Sequence, residues 1–286
     1  MKLISFRAGA SNSWGRVVGD EIVDLSEMTS ASSTMFGALQ RVTLDEIYRY
    51  SDDRDPSHRL RDVTLLPPVV ATSKIICVGL NFVEHEREMR RERPPRPTIF
   101  SRFPDTLVGG ARPLIQPAGT HSYDYEGELA VVIGATGRRV AIEDTQAMIA
   151  GYTLFNDGSL RDYQRHSTQF TPGKNFPQSG AIGPWIVTPD EVGDLSKQTL
   201  TTRLNGHVVQ QAPLSDMIFS IPEIISYCSE WTELRPGDIL ATGTPGGVGA
   251  ARTPPLWMTD GDVCEVSLPA IGVLSNPIIA ESVLTR

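Results

Sequence analysis

The run Leu129-Ala130-Val131-Val132-Ile133 constrains the fold most strongly. Five consecutive apolar residues without polar alternation predict a strand buried on both faces. Two carboxylates precede it, in Tyr125-Glu126-Gly127-Glu128. Residues two apart on a strand share a face, so Glu126 and Glu128 would lie side by side. Gly127 between them predicts close packing on the opposite face. Two carboxylates at the mouth of an apolar strand repel each other unless one is protonated or a cation sits between them. The alternative is a pair of solvated acids on an edge strand.

Short β-rich runs recur from Lys74 onward, separated by Gly and Pro, at 74–78, 129–133, 152–155, 185–187, 199–204, 238–241 and 263–267. Few long helical patterns interrupt them, which predicts a β-rich α+β domain over 71–286. Helices are expected at 142–150 and 221–231. Asn205-Gly206, between 199–204 and 207–210, signals a type I′ hairpin. Residues 1–70 read as a small N-terminal α/β unit, with strands at 3–6, 15–18 and 21–24 and a helix near 43–50. Pro67-Pro68 marks a stiff junction after it.

Composition excludes several classes. The 286 residues carry 26 Lys and Arg against 34 Asp and Glu, a formal net charge of −8. Nucleic acid is therefore not expected as a partner, since phosphate binding needs a cationic surplus. Three widely spaced cysteines, Cys77, Cys228 and Cys264, give no disulfide framework and no metal pair. No run approaches the ~18 apolar residues of a membrane span, and the first residues lack the apolar stretch of a signal peptide. A cytoplasmic, reduced protein away from membranes is the expectation.

Two motif resemblances fail on inspection. Gly243-Thr244-Pro245-Gly246-Gly247-Val248-Gly249 lacks the Lys of a phosphate loop. It reads instead as a tight turn that brings main-chain N–H groups and Thr244 near a ligand, or as an ordinary Gly-rich loop. His85-Glu86-Arg87-Glu88-Met89 has Met where the zincin motif needs its second His. A third carboxylate does arrive from a strand end, because the run 151–155 is followed by Asn156-Asp157. Three oxygen ligands without His or Cys suit a hard divalent ion, Mg²⁺ or Mn²⁺.

Several motifs occur together in one order: Gly79-Leu80-Asn81-Phe82-x-x-His85, Tyr125-Glu126-Gly127-Glu128-Leu129, Asn156-Asp157, Arg161-Asp162-x-Gln164, Gly173-Lys174-Asn175-Phe176 and Ala241-Thr242-Gly243-Thr244-Pro245-Gly246-Gly247-Val248-Gly249. From about residue 70 to 280 the chain closely resembles the fumarylacetoacetate hydrolase family. The resemblance implies a mixed β-roll catalytic domain, Mg²⁺ or Mn²⁺ on Glu126, Glu128 and Asp157, and usually a homodimer. It also implies a small anionic 2-oxo acid as substrate. His85 and Glu88, three apart and on one helical face, match the family's acid–base dyad. Lys174, Gln164 and Arg161 match the positions that hold a developing oxyanion.

The leading expectation is a divalent-metal-dependent hydrolase that cleaves a C–C bond in 2,4-dioxo acids through an enolate. The alternative uses the same enolate chemistry without water attack, as an isomerase or decarboxylase of hydroxymuconate-like or oxaloacetate-like acids. A third possibility is a metal-binding module without catalysis. The chain departs from many members in having Arg102 where they have Lys, and Pro177 where they have Asp. Arg102 is expected to clamp a substrate carboxylate bidentately. Residues 84–96, mildly basic within an acidic protein, read as a lid or as a solvated helix laced with ion pairs.

Overall fold

The computed structural model describes residues 1–29, 34–69, 74–88 and 95–282. Residues 89–94, within the expected lid at 84–96, lie outside the described residues, as do 70–73 at the expected domain junction.

The apolar run lies in the strand Gly127–Ile133, every residue of which is buried. Its neighbours are Ile149–Asn156 on one side and Ile239–Ala241 on the other, both antiparallel to it. Ile75–Gly79 then adds in parallel to Ile239–Ala241, and Thr98–Arg102 closes that edge. In the other direction the sheet continues through Gly180–Val187 to the N-terminal strands Lys2–Ala8, Ser11–Val18 and Glu21–Asp24. The N-terminal strands therefore extend the central sheet, and Leu3, Trp14 and Val23 share a core with Ile75, Ala130 and Ile182.

A second, five-stranded sheet contains His207–Pro213, Thr199–Leu204, Val263–Leu268, Gly272–Ala280 and Leu114–Gln116. It packs on the face opposite the carboxylates. A Cβ on Gly127 would sit 2.0 Å from Thr202 Oγ1, which is the close approach the sequence predicts there. Asn205 and Gly206 take positive φ, 52° and 79°, and form the expected hairpin turn. The helix Ile221–Trp231 starts from a capping box made by Ser220 and Glu223.

One expected helix is corrected. Residues 142–148 form a tight 3-10 segment, and Ile149 already begins a strand. Pairing of Ile149 with Ile133 takes 149–150 into the buried sheet and ends the segment there. Among the described residues, no helix is long and apolar enough to cross a membrane. The three cysteines are free and buried.

Candidate active site

Four strand ends meet at one edge of the central sheet. Antiparallel pairing sets Gly127 opposite Asn156, which brings Glu126 and Glu128 beside Asp157. The Asp157 N–H donates to the Glu126 carbonyl at 2.9 Å and fixes that corner. Parallel pairing aligns the ends of Ile239–Ala241 and Ile75–Gly79. The first runs into the Gly243–Gly249 loop, and the second leads to the helix Val83–Glu88 that carries His85.

The three acids are buried, and one ligand oxygen from each lies within 4.8 Å of the others. Lys174 Nζ donates to Glu126 Oε2 at 2.6 Å and to Asp157 Oδ2 at 2.5 Å. Arg161 Nη2 approaches Glu126 Oε1 at 2.6 Å, while its Nε donates to Asp124 Oδ2 at 2.8 Å and its Nη1 to Gln164 Oε1 at 2.8 Å. His85, only 5% exposed, places Nδ1 2.7 Å from Glu88 Oε1. With Nδ1–H donating to the Glu88 carboxylate, Nε2 is the basic nitrogen.

These groups line a cavity of about 320 Å³. His85, Glu126, Glu128, Arg161, Gln164, Lys174 and Thr244 all face it, so sequence and structure agree on bringing them together. Asp157 sits just behind, linked through Lys174.

Two expectations are corrected. Arg102 does not face the cavity. It is 2% exposed, and its guanidinium donates to Asp157 Oδ1 at 2.7 Å, Ser179 Oγ at 2.7 Å and the Gly158 carbonyl at 3.0 Å. Its fork holds an acid of the site from behind instead of clamping a substrate carboxylate. The Gly-rich loop likewise turns its N–H groups on the protein's own carboxylates. Gly243 N–H donates to Glu128 Oε2 at 2.8 Å, Gly247 N–H to Glu88 Oε2 at 2.8 Å and Gly249 N–H to Asp124 Oδ1 at 2.7 Å. Glycine is required at 247, where φ is +100° and a Cβ would lie 2.3 Å from the Val209 carbonyl oxygen. Thr244 donates to the Gly127 carbonyl at 2.9 Å and accepts from Gln210 Nε2 at 2.8 Å, so its hydroxyl is engaged within the protein.

Asp124 was not singled out by the sequence reading. It is fully buried, gripped by Arg161 and by the N–H groups of Gly249 and Ala250. Its signal was the spacing Asp124, Glu126, Glu128, a third acid at period two within an aromatic stretch.

The charge balance shows what the site can hold. Four buried carboxylates, Asp124, Glu126, Glu128 and Asp157, face three buried cations, Arg102, Arg161 and Lys174. Burial pushes Glu128 well above the usual carboxylate range, and the charges of Asp157 and Glu126 push it further. Burial acts on Glu126 in the same direction, but Arg161 and Lys174 outweigh it and hold that carboxyl below the usual range. Burial would lower Lys174, yet Asp157 and Glu126 keep its ammonium above the ordinary lysine value. Among the described residues, no cation lies within ion-pair distance of Glu128. An all-oxygen acid trio, in a site with four carboxylates against three cations, fits a hard divalent cation.

The comparisons agree with this geometry. Residues 74–279 match the family model described as fumarylacetoacetate (FAA) hydrolase C-terminal. The mitochondrial oxaloacetate tautomerase Fahd2a of Rattus norvegicus is 36% identical over 266 residues, covering 92% of this chain and 85% of that protein. The oxaloacetate tautomerase YisK of Bacillus subtilis is 41% identical over 225 residues, covering 77% of this chain and 75% of its own. Maleylpyruvate hydrolase from a Sphingobium species, solved with manganese(II) ion and pyruvate, superposes with a TM-score of 0.83 at 27% identity, covering 99% of this chain and 100% of that one. The strand-rich fold, the acid trio and these matches lead to one conclusion: the chain belongs to the fumarylacetoacetate hydrolase family.

Proposed function

We propose that this protein is a divalent-metal-dependent tautomerase that interconverts the enol and keto forms of a small 2-oxo acid of the oxaloacetate type. The observation that carries the reading is His85, which lines the same cavity as Glu126 and Glu128 and is held by Glu88 at 2.7 Å. Relatives at 36% and 41% identity that are named oxaloacetate tautomerases support it.

Enol-to-keto conversion moves one proton from the C2 hydroxyl and adds one at C3, as the C2–C3 double bond becomes a C2–O double bond. Glu126, Glu128 and Asp157 would hold the ion, with Mg²⁺ or Mn²⁺ as the candidates; when bound, it supplies a Lewis acid for the carboxylate and oxo oxygens of a 2-oxo acid. His85 Nε2 serves as the proton carrier at C3, because Glu88 fixes the ring through Nδ1 and Gly247 N–H fixes Glu88 at 2.8 Å. The amide of Gln164, whose oxygen accepts from Arg161, and the ammonium of Lys174 would steady negative charge on the C2 oxygen. A homodimer and a cytoplasmic location complete the proposal.

A second reading, C–C bond hydrolysis of a 2,4-dioxo acid, uses the same dyad to activate water and is supported by the likeness to maleylpyruvate hydrolase. It ranks second, because the relatives of higher identity are named tautomerases. Proton NMR of the metal-supplemented protein separates the two. Accelerated conversion of oxaloacetate enol to the keto form, with no carbon–carbon cleavage of acylpyruvates, is expected. Release of pyruvate and a carboxylic acid from acylpyruvates, with oxaloacetate equilibrating at its spontaneous rate, would replace the first reading with the second.

A further inference from the structure

Three cations inside the site are bound to the protein's own acids: Arg102 to Asp157, Arg161 to Asp124 and Glu126, and Lys174 to Glu126 and Asp157. Arg165 differs from them. It lines the same cavity, is exposed at its mouth, and among the described residues has no carboxylate within ion-pair distance of its guanidinium.

Its backbone is nevertheless fixed. The Arg165 N–H caps the short helix Arg161–Gln164, donating to the carbonyls of Arg161 and Asp162 at 3.2 Å each. Residues 165–170 then cross the cavity mouth to the helix Thr171–Lys174, which delivers Lys174 to the acids. Ser167 and Thr168 line that crossing beside Arg165, and the Ser167 hydroxyl accepts from the Gln169 N–H at 3.1 Å. Part of the lining is aromatic: Phe100 and Phe170 pack edge to face at 5.7 Å, and Gly79 lies against both rings. A cavity of about 320 Å³ thus has charged and ligating groups, an aromatic wall, and, among the described residues, an exposed guanidinium without an ion-pair partner beside Thr168.

We propose that Arg165, with Thr168 beside it, binds the second carboxylate of the substrate and so selects dicarboxylic 2-oxo acids over monocarboxylic ones. This rests on the tautomerase reading for the placement of the first carboxylate at the acid trio. A guanidinium offers a planar fork that matches a carboxylate bidentately, and a cation on an exposed rim draws a dianion toward a protein whose net charge is −8. Arg165 is a specificity residue here and takes no part in proton transfer.

The test compares the metal-loaded wild type with Arg165→Gln and Arg165→Lys on oxaloacetate and on 2-oxobutanoate, which enolises but has no second carboxylate. Turnover is read by NMR as C3–H exchange in deuterated water. The ratio of kcat/KM for oxaloacetate over 2-oxobutanoate is expected to fall about tenfold in Arg165→Gln, chiefly through KM, with part of it recovered in Arg165→Lys. A second readout needs no turnover. By calorimetry, malate should bind the wild type more tightly than 2-hydroxybutanoate, and Arg165→Gln should erase the difference. An unchanged ratio and an unchanged malate preference in Arg165→Gln overturn the inference. If the wild type turns over neither acid, the tautomerase reading fails, while the malate comparison still decides the role of Arg165.

Discussion

Replacing Arg102 by Met tests how the acid cluster is held together. Arg102 and Asp157 side chains are both 0% exposed, and the pair meets at 2.7 Å. Removing the guanidinium also strips donors from Ser179 Oγ and the Gly158 carbonyl, at 2.7 and 3.0 Å. Breaking a buried ion pair from one side commonly costs ~3–5 kcal/mol. The low end applies here, because Lys174 still reaches Asp157 Oδ2 at 2.5 Å. Against a total stability of roughly 5–15 kcal/mol, that is a large fraction. Urea unfolding in chelator should therefore show a clearly lower midpoint for Arg102→Met, with Arg102→Lys between it and the wild type. Excess Mn²⁺ should shrink the loss, since a divalent ion supplies the missing counter-charge. Adding Asp157→Asn to Arg102→Met should recover stability in chelator, because it removes the uncompensated buried charge. An unfolding free energy within about 1 kcal/mol of wild type for Arg102→Met, or a double variant no more stable than the single one, would refute the reasoning.

Other outcomes follow from the same contacts. Gly247→Ala places a Cβ against the Val209 carbonyl oxygen and displaces the N–H that holds Glu88; kcat should drop roughly 10–100-fold, with the fold retained by circular dichroism. His85→Ala should lower kcat by roughly 10²–10⁴ while leaving metal binding by calorimetry intact, because His85 is no ligand of the acid trio. Burial keeps the thiols protonated, with Cys228 and Cys264 pushed up to about 12. An aromatic disulfide reagent should therefore titrate no thiol in the native protein at neutral pH and three after denaturation.

Much of this arrangement was legible in the sequence, since it depends on local pattern. The strands Glu21–Asp24 and Thr199–Leu204 and the helix Ile221–Trp231 fall where alternation and capping place them. The acid trio was legible for the same reason, as each member ends or begins an apolar run. What was missed depends on partners distant in the chain. Arg102 meets Asp157 across 55 positions, so no spacing rule separates a buried brace from a substrate clamp. The helices Arg161–Gln164 and Thr171–Lys174 have four residues each, too few for a helical period to register. Gly272–Ala280 contains Pro277, which argues against a strand locally, yet it pairs along Val263–Leu268. The Gly-rich loop announced free N–H groups, but not that Glu88, Glu128 and Asp124 would take them.

The central claim is that a metal on the buried acids and the His85–Glu88 dyad together drive proton transfer on a 2-oxo acid. It is tested most directly by the rate at which oxaloacetate enol converts to the keto form, followed by loss of enol absorbance with Mn²⁺ present. The wild type should greatly exceed the spontaneous rate, and chelator, Glu128→Gln and His85→Ala should each return it to near that rate. Undiminished conversion in chelator or in Glu128→Gln, or no acceleration by the metal-loaded wild type, would contradict the account.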